Sequence, residues 1–444
     1  MKSINFLFVF FFAVAIFAQD VSVTIYNDNF AVVREKKKIQ VEKGISTFRI
    51  TDIPSAIEPA SVKIKFDGEI LEQNYKYDLA DKYSVLRKYL NKKIKLTDEK
   101  GNELTGKLIS GSGNGFVLEQ TGGGLLIISN PSKYNIALEK LPENFVITPT
   151  LEYLAKSKSG GKKEVELSYF TGGISWTAEY VAVLNENDSK MDLNSWVTLT
   201  NNSGGTFRNA KIKLVAGNVN RVRNAPYPVY AMEKTADAEA ENFNERNFFE
   251  YHIYELARQT TIANKESKQI AFFDAENINV KKRYVFRAPS YTMQQPENVS
   301  VLFDLKNTEG NNLGKALPKG KIKLFKKDND DLEFIGEDEI PHTAKGETIH
   351  LRLGKAFDVK AQYREINRTK IAKNVYETEG EVKIHNGKNS GVTVEVIKNF
   401  SGDWEILRSN VDYAKVSSGS VKFIVKIPRN NVAVLKFKVR LIYN

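Results

Sequence analysis

The chain has 444 residues, no cysteine, four histidines and a formal net charge of +11. Its length allows about two to four domains with sizeable cores. The missing cysteine excludes a disulfide framework, a thiolate nucleophile, an iron–sulfur cluster and a lipidated-cysteine anchor. The positive charge is spread over alternating positions such as Lys211 and Lys213, Lys321 and Lys323, Lys436 and Lys438. That spacing describes the solvent faces of strands, with affinity for anionic surfaces or glycans as the secondary reading.

Residues 1–18 have the form of a signal peptide: Lys2, an apolar run over 4–17, then Ala18. The run is short for a membrane anchor, and no later stretch approaches ~20 consecutive apolar residues. The mature chain is therefore expected to be exported to the periplasm or cell surface, without a transmembrane segment and with no nucleic-acid partner. Residues 19–78 read as a small β-unit with strands at 21–25, 30–33, 39–41, 47–50 and 62–66. Residues 79–142 follow as a separate small domain. Leu79, Tyr83, Leu86 and Leu90 fall on one face of a short helix over 79–90. Five short strands come next, at 93–96, 104–110, 115–119, 125–128 and 134–138. A helix followed by five short strands resembles an Sm-like or SH3-like small barrel. The glycine cluster at 111–115 is a turn: it lacks the G-K-[ST] ending, and no helix follows whose N-terminal amides could hold a phosphate.

The charged stretch 157–163 reads as a flexible connector into 169–220, which the rest of the chain is organised around. There Trp176, Ala178, Tyr180 and Ala182 alternate on one side of a strand, and 196–200 continues in the same style. Trp176 and Trp196 are expected in the core. Gly172, Gly173 and Gly204 mark turns, and Trp404 is a further structural residue near the end of the chain. Residues 224–250 open with Pro226 and Pro228 and become acidic, reading as a mobile excursion that is either passive or a docking element or lid. Strands resume at 251, with 332–335 and 348–353 placed as two arms of one hairpin. A strand, Asn-x-Gly turn, strand pattern recurs loosely at Asn202-Ser203-Gly204, Asn307 to Gly310, and Asn389-Ser390-Gly391. The fold class is all-β and multi-domain, sandwich-like in its C-terminal half, with the small barrel and one short helix in the N-terminal third.

From about residue 150 to the end, several motifs agree in order: Tyr169-Phe-Thr-Gly-Gly-Ile-Ser-Trp176, Trp196-Val-Thr-Leu-Thr-Asn-Asn-Ser-Gly204, Ala210 to Gly217, Pro318-Lys-Gly320, Phe334 to Asp338, Leu353 to Asp358, and Gly402-Asp-Trp404. In these the chain resembles the bacterial domain of unknown function 4139 family, as in mucoidy-inhibitor A-like envelope proteins. The resemblance implies export and one β-rich domain over 150–444. It carries over no reaction and no catalytic residue. Longer members look as though they hold a helical coiled coil where this chain has its small barrel.

The common hydrolase and metal signatures are absent. One constellation bears weighing: Glu337, Asp338, His342, Glu347 and His350, gathered by the expected hairpin into a candidate acid–base or ligand cluster. The bland alternative is ordinary surface hydrogen bonding, and no third metal ligand is identified, so no metal or cofactor is expected. The leading function is a non-enzymatic binding or assembly protein recognising a protein or glycan of the envelope. The alternative is a periplasmic hydrolase acting on envelope polymers through acidic residues. A concave pocket with converging carboxylates would favour the enzyme, and a flat or edge-strand surface would favour binding.

Overall fold

The computed structural model describes residues 20–77, 82–112, 115–140, 146–217, 219, 243–248, 251–329 and 331–443. The signal peptide expected at 1–18 and most of the acidic stretch, 224–242 and 249–250, lie outside them. The chain divides into two compact units: Met1–Trp176 with Leu199–Lys268, and Thr177–Thr198 with Gln269–Asn444. Both are built almost wholly of strands, as the composition requires. No helix among the described residues is long and apolar enough to cross a membrane.

The division does not fall near 150. Gly161–Gly172 pairs antiparallel with Phe30–Val41, from Gly161 opposite Val41 to Gly172 opposite Phe30. Thr150–Ser157 lies between Gly44–Ile50 and Glu69–Lys76. Residues 150–172 therefore complete the N-terminal sheets, through pairings too distant in the chain to mark local periodicity. The connector expected at 157–163 is instead a tight turn between two strands. Ser157 Oγ donates to the Ser159 carbonyl at 2.8 Å, and Gly161 takes φ +124°.

At the centre of this first unit Val21–Tyr26 runs antiparallel to Phe30–Val41 and parallel to Phe207–Ala216. Its period of two buries Val21, Val23 and Ile25. Phe207–Ala216 continues the sheet to Tyr251–Leu256 and then to Phe243–Phe248. The final residues of the expected excursion are thus a paired strand.

The small domain is a five-stranded antiparallel sheet in the order Tyr134–Leu138, Lys93–Asp98, Glu103–Ser112, Gly115–Glu119, Leu125–Ile128. The last of the five in chain order pairs with the first, and a helix precedes them. The helix spans Lys82–Arg87 only. Beyond it the amides of Lys88, Tyr89 and Leu90 bond three residues back, to Val85, Leu86 and Arg87. This tighter winding advances the phase by one residue. Tyr89, 3% exposed, takes the inward place beside Leu86, while Leu90, expected there, is 41% exposed. Leu79 lies outside the described residues.

The second unit is a large sheet whose core gathers Phe286, Val359, Tyr363, Val394, Phe423 and Phe437. Thr348–Ala372 is its longest strand, between Glu297–Lys306 and Val375–Asn386. The expected hairpin does not form. Asp331–Ile340 pairs with Gly320–Asp328 and Thr348–Ala372 with Glu297–Lys306 and Val375–Asn386, so the two arms touch, through the Arg352 amide and Asp338 Oδ2 at 2.7 Å, without forming a ladder of their own. The two tryptophans also part. Trp176 is 1% exposed and its indole N–H donates to the Val215 carbonyl at 3.2 Å. Trp196 is 41% exposed, because Met191, Leu193, Val197 and Leu199 set the inward phase of Lys190–Asn201 and leave it on the other face. Trp404 is partly buried against Phe400, ring centroids 5.3 Å apart.

One device recurs. Asn201, Asn307 and Asn386 are fully buried asparagines at strand ends. Asn201 Nδ2 donates to the carbonyls of Gly205, Ile262 and Ala263, and its Oδ1 accepts the Ser203 amide. Asn386 Nδ2 donates to the carbonyls of Ser390, Ile427 and Pro428, and its Oδ1 accepts the Lys388 amide. The spacing is the same in both cases. Six residues on, Phe207 pairs with Ile262 and Val392 with Ile427. Each asparagine clips a turn to the strand that receives the next one, satisfying carbonyls that would otherwise be buried bare.

Candidate functional site

The 201–205 loop sits between two concavities of the first unit. The larger is a cleft of about 330 Å³ lined by Ser55, Tyr77, Pro149, Asn202, Gly204, Asn264 and Lys265. Its walls are three turns tied together by backbone bonds. The Ser203 carbonyl accepts from the Ala56 amide at 2.9 Å and from Ser55 Oγ at 3.3 Å. The Gly204 amide donates to Asn264 Oδ1 at 3.0 Å, and the Lys265 amide to the Asn201 carbonyl at 2.7 Å. Gly173 enters through its carbonyl, which accepts the Asn202 amide at 2.6 Å.

Backbone conformation explains two of the glycines. Gly204 has φ +83°, and a Cβ there would lie 1.9 Å from Ser55 Oγ. Gly173 has φ +75°, and its Cβ would lie 2.7 Å from the Asn202 carbonyl oxygen. Gly172 carries no such constraint, its nearest would-be contact being 3.9 Å away. Lys265 also takes a left-handed φ, +60°. Its turn is closed by Glu266, whose Oε2 accepts the Ala263 amide at 2.6 Å. That bond holds the Glu266 carboxyl below its usual range.

The Tyr77 hydroxyl, the Asn202 side-chain amide and the Lys265 ammonium make no hydrogen bond or ion pair among the described residues. They therefore present donors, acceptors and one cation to the cleft, beside the rings of Tyr77 and Pro149. Among the described residues, no carboxylate lines it.

The smaller concavity, about 10 Å³, is lined by Glu35, Asp52, Pro54, Tyr169, Gly205, Thr206 and two apolar residues, Val21 and Phe207. It has room for about one water molecule. Glu35 is 6% exposed, accepts from the Tyr169 hydroxyl at 3.2 Å and stands 3.5 Å from Lys37 Nζ. Lys37 also donates to the carbonyls of Thr51 and Asp52. Burial pushes the Glu35 carboxyl above its ordinary value of 4.5, against the opposing pull of Lys37 and Tyr169. A folded-state pKa above the unfolded one means that the folded chain holds this proton more tightly. The contribution of Glu35 to stability is then complete below the unfolded value and is lost as pH rises through the folded one. Glu35→Gln keeps an acceptor for Tyr169 and is expected to remove that fall. Urea denaturation of both proteins between about pH 4 and about pH 8 checks it. The variant should gain on the wild type as pH rises, and a difference independent of pH would refute the account.

The residues singled out from the sequence lie elsewhere, and each has its own partner. The Lys319 amide donates to His342 Nδ1 at 3.1 Å. Glu347 Oε2 accepts the Ala344 amide at 2.9 Å, Asp338 Oδ2 accepts the Arg352 amide at 2.7 Å, and Glu337 reaches Lys321 at 3.5 Å. His350 Nδ1 lies 2.7 Å from Asp304 Oδ1. It ends a chain of side-chain contacts in which Arg283 grips Glu395 through two bonds, at 2.9 and 2.5 Å, and Asp304 Oδ2 through a third at 2.7 Å. Arg283 holds the Glu395 carboxyl below its usual range. No group of three or more His, Asp or Glu side chains that could hold a metal occurs among the described residues. The cluster was to be gathered by the hairpin that does not form. Ser55, Tyr77, Asn264 and Lys265, which line the cleft, carry no pattern that local sequence could reveal. Only the Asn202-Ser203-Gly204 turn pointed towards it.

No protein-family model matches the chain, and no curated protein matches it.

Proposed function

We propose that this is a non-enzymatic binding protein of the cell envelope, and that the cleft beside the 201–205 loop takes an acidic glycan. The observation that carries this reading is the lining: open hydrogen-bonding groups on Tyr77 and Asn202, one ammonium on Lys265, two ring surfaces and, among the described residues, no carboxylate. A volume near 330 Å³ lies within the usual range for small-ligand sites. Hydroxyl-rich ligands bind through several placed polar groups beside an aromatic face, and Lys265 adds a preference for a negative one. Export and an envelope location agree with the signal-like residues 1–18 and with the motif resemblance over 150–444. The hydrolase alternative has less support. The two carboxylates that line one cavity, Glu35 and Asp52, share a space for about one water molecule, too small for a sugar ring.

Calorimetric titration with oligogalacturonate and with a neutral cello-oligosaccharide of equal length tests the reading. The acidic ligand should bind and the neutral one bind more weakly. Lys265→Asn keeps a residue that tolerates the left-handed backbone and should weaken acidic binding by about tenfold, or about 1.4 kcal/mol. Absence of binding, or equal binding by wild type and variant, would reject the cleft as the site. Shortening of the oligosaccharide during the titration would restore the enzyme alternative.

A further inference from the structure

The Thr348–Ala372 strand of the second unit outruns its neighbour on one side. Glu297–Lys306 pairs with it only from Thr348 to Ala361. The next stretch is covered by the 292–293 segment: the Met293 amide donates to the Tyr363 carbonyl, and the Glu365 amide to Thr292 Oγ1, both at 2.9 Å. From 366 to 372 the strand pairs on its other side alone, with Val375–Asn386. Among the described residues, nothing pairs with its outer edge there.

This edge is supported from behind. Val375–Asn386 is itself backed by Asn431–Ile442, in register as far as Val375 opposite Ile442. Arg368 stacks on the Tyr376 ring, 4.9 Å from its centroid, and donates to the Tyr443 hydroxyl at 3.3 Å. Two irregularities in the pairing, between Glu365 and Asn367 and between Lys370 and Ala372, leave Ile366 and Ile371 without partners. Both are about half exposed, at 53% and 52%. The charge is one-sided. Arg364, Arg368, Lys370 and Lys373 stand against Glu365 alone, and none of the four cations makes a salt bridge among the described residues. The carboxylates on the neighbouring strand do not offset them, because Glu377, Glu379 and Glu381 are already paired with Lys438, Arg440 and Lys436.

We propose that this edge, residues 366–372, accepts an extended acidic segment of a partner protein as an added strand. An open edge offers main-chain donors and acceptors, and the side chains on either side set which strand is taken. Bulges and like charges oppose pairing with a second copy of the same edge. A partner with alternating Glu or Asp would meet Arg364, Lys370 and Lys373, while its apolar residues would cover Ile366 and Ile371. The site is independent of the glycan reading and lies in the other unit.

The test uses the full chain and a fluorescent ten-residue peptide of alternating Glu and Val, read by anisotropy. Four comparisons accompany it: the same peptide N-methylated at alternate residues, a Lys-Val peptide, and two charge-reversal variants, Lys370→Glu/Lys373→Glu at the edge and Lys211→Glu/Lys213→Glu elsewhere. Circular dichroism verifies that both variants fold. The proposal expects the acidic peptide to bind, the edge variant and the N-methylated peptide each to lose at least about tenfold in affinity, and the Lys211/Lys213 variant to bind as the wild type does. No binding of the acidic peptide would overturn it. Equal binding of the N-methylated peptide would also overturn it, since a charged patch alone needs no main-chain bonds. So would an equal loss in both variants, which would reduce the effect to net charge.

Discussion

Replacing Gly204 by valine is expected to destabilise the chain by about 3 kcal/mol and to abolish ligand binding in the cleft. Two costs combine. A β-branched residue at φ +83° is strained by about 1–2 kcal/mol relative to glycine. The new Cβ would also fall 1.9 Å from Ser55 Oγ, 2.8 Å from Ser55 Cβ and 2.9 Å from Ser55 N, so the backbone around Ser55 must move and not merely its hydroxyl. That movement breaks the bonds from Ala56 N and Ser55 Oγ to the Ser203 carbonyl, which are worth about 1 kcal/mol each. Gly172→Ala is the control. Its φ is ordinary and its Cβ would meet nothing closer than 3.9 Å, so its cost should stay below about 1 kcal/mol. Urea denaturation of the two variants side by side decides the matter. Equal costs would mean that the left-handed turn does not hold the cleft wall in place.

The same comparison shows how far the sequence could be read. Alternation is local, and it located most strands. The five strands of the small domain were expected within a few residues of where they lie, and their order follows from the helix-then-strands pattern. What failed depended on distant partners or on phase. The membership of 150–172 in the first unit depends on pairing with Phe30–Val41, Gly44–Ile50 and Glu69–Lys76. Trp196 faces outward because four neighbours of the same strand claim the core. A large aromatic in a β-pattern says nothing by itself about which face wins. Leu90 lost its place because the helix end tightened. The recurrent turn was visible as Asn-x-Gly, but at two of its three occurrences the asparagine that acts stands one or three residues earlier, as Asn201 and Asn386. A buried hydrogen-bonding role leaves no periodic trace. The cleft was least legible of all, since its lining joins turns at 53–56, 201–205 and 263–266 to Tyr77 and Pro149.

The buried asparagines give the second large prediction. Asn201→Ala removes, at a fully buried position, a side-chain NH2 group that donates to three carbonyls and a side-chain oxygen that accepts the Ser203 amide. The carbonyls of Gly205, Ile262 and Ala263 and the Ser203 amide are left to find other partners. Each bare buried group costs about 1–3 kcal/mol, and partial relaxation with water entry lowers the sum, so a loss of about 3 kcal/mol is expected. Asn201→Asp should fare no better: it keeps the acceptor for Ser203 but sets a carboxylate against three carbonyl oxygens. Asn386 makes the matching set of bonds to Ser390, Ile427, Pro428 and Lys388, so Asn386→Ala should cost about as much. Amide hydrogen exchange separates the two. Asn201→Ala should speed exchange on the order of 100-fold in its own turn and leave the Asn386 turn as it was, and Asn386→Ala should do the reverse. The reciprocal pattern would mean that one clip was used twice, each copy holding its own turn. Unchanged exchange in both turns would mean that the turns are held by their strands and that the asparagines only fill space.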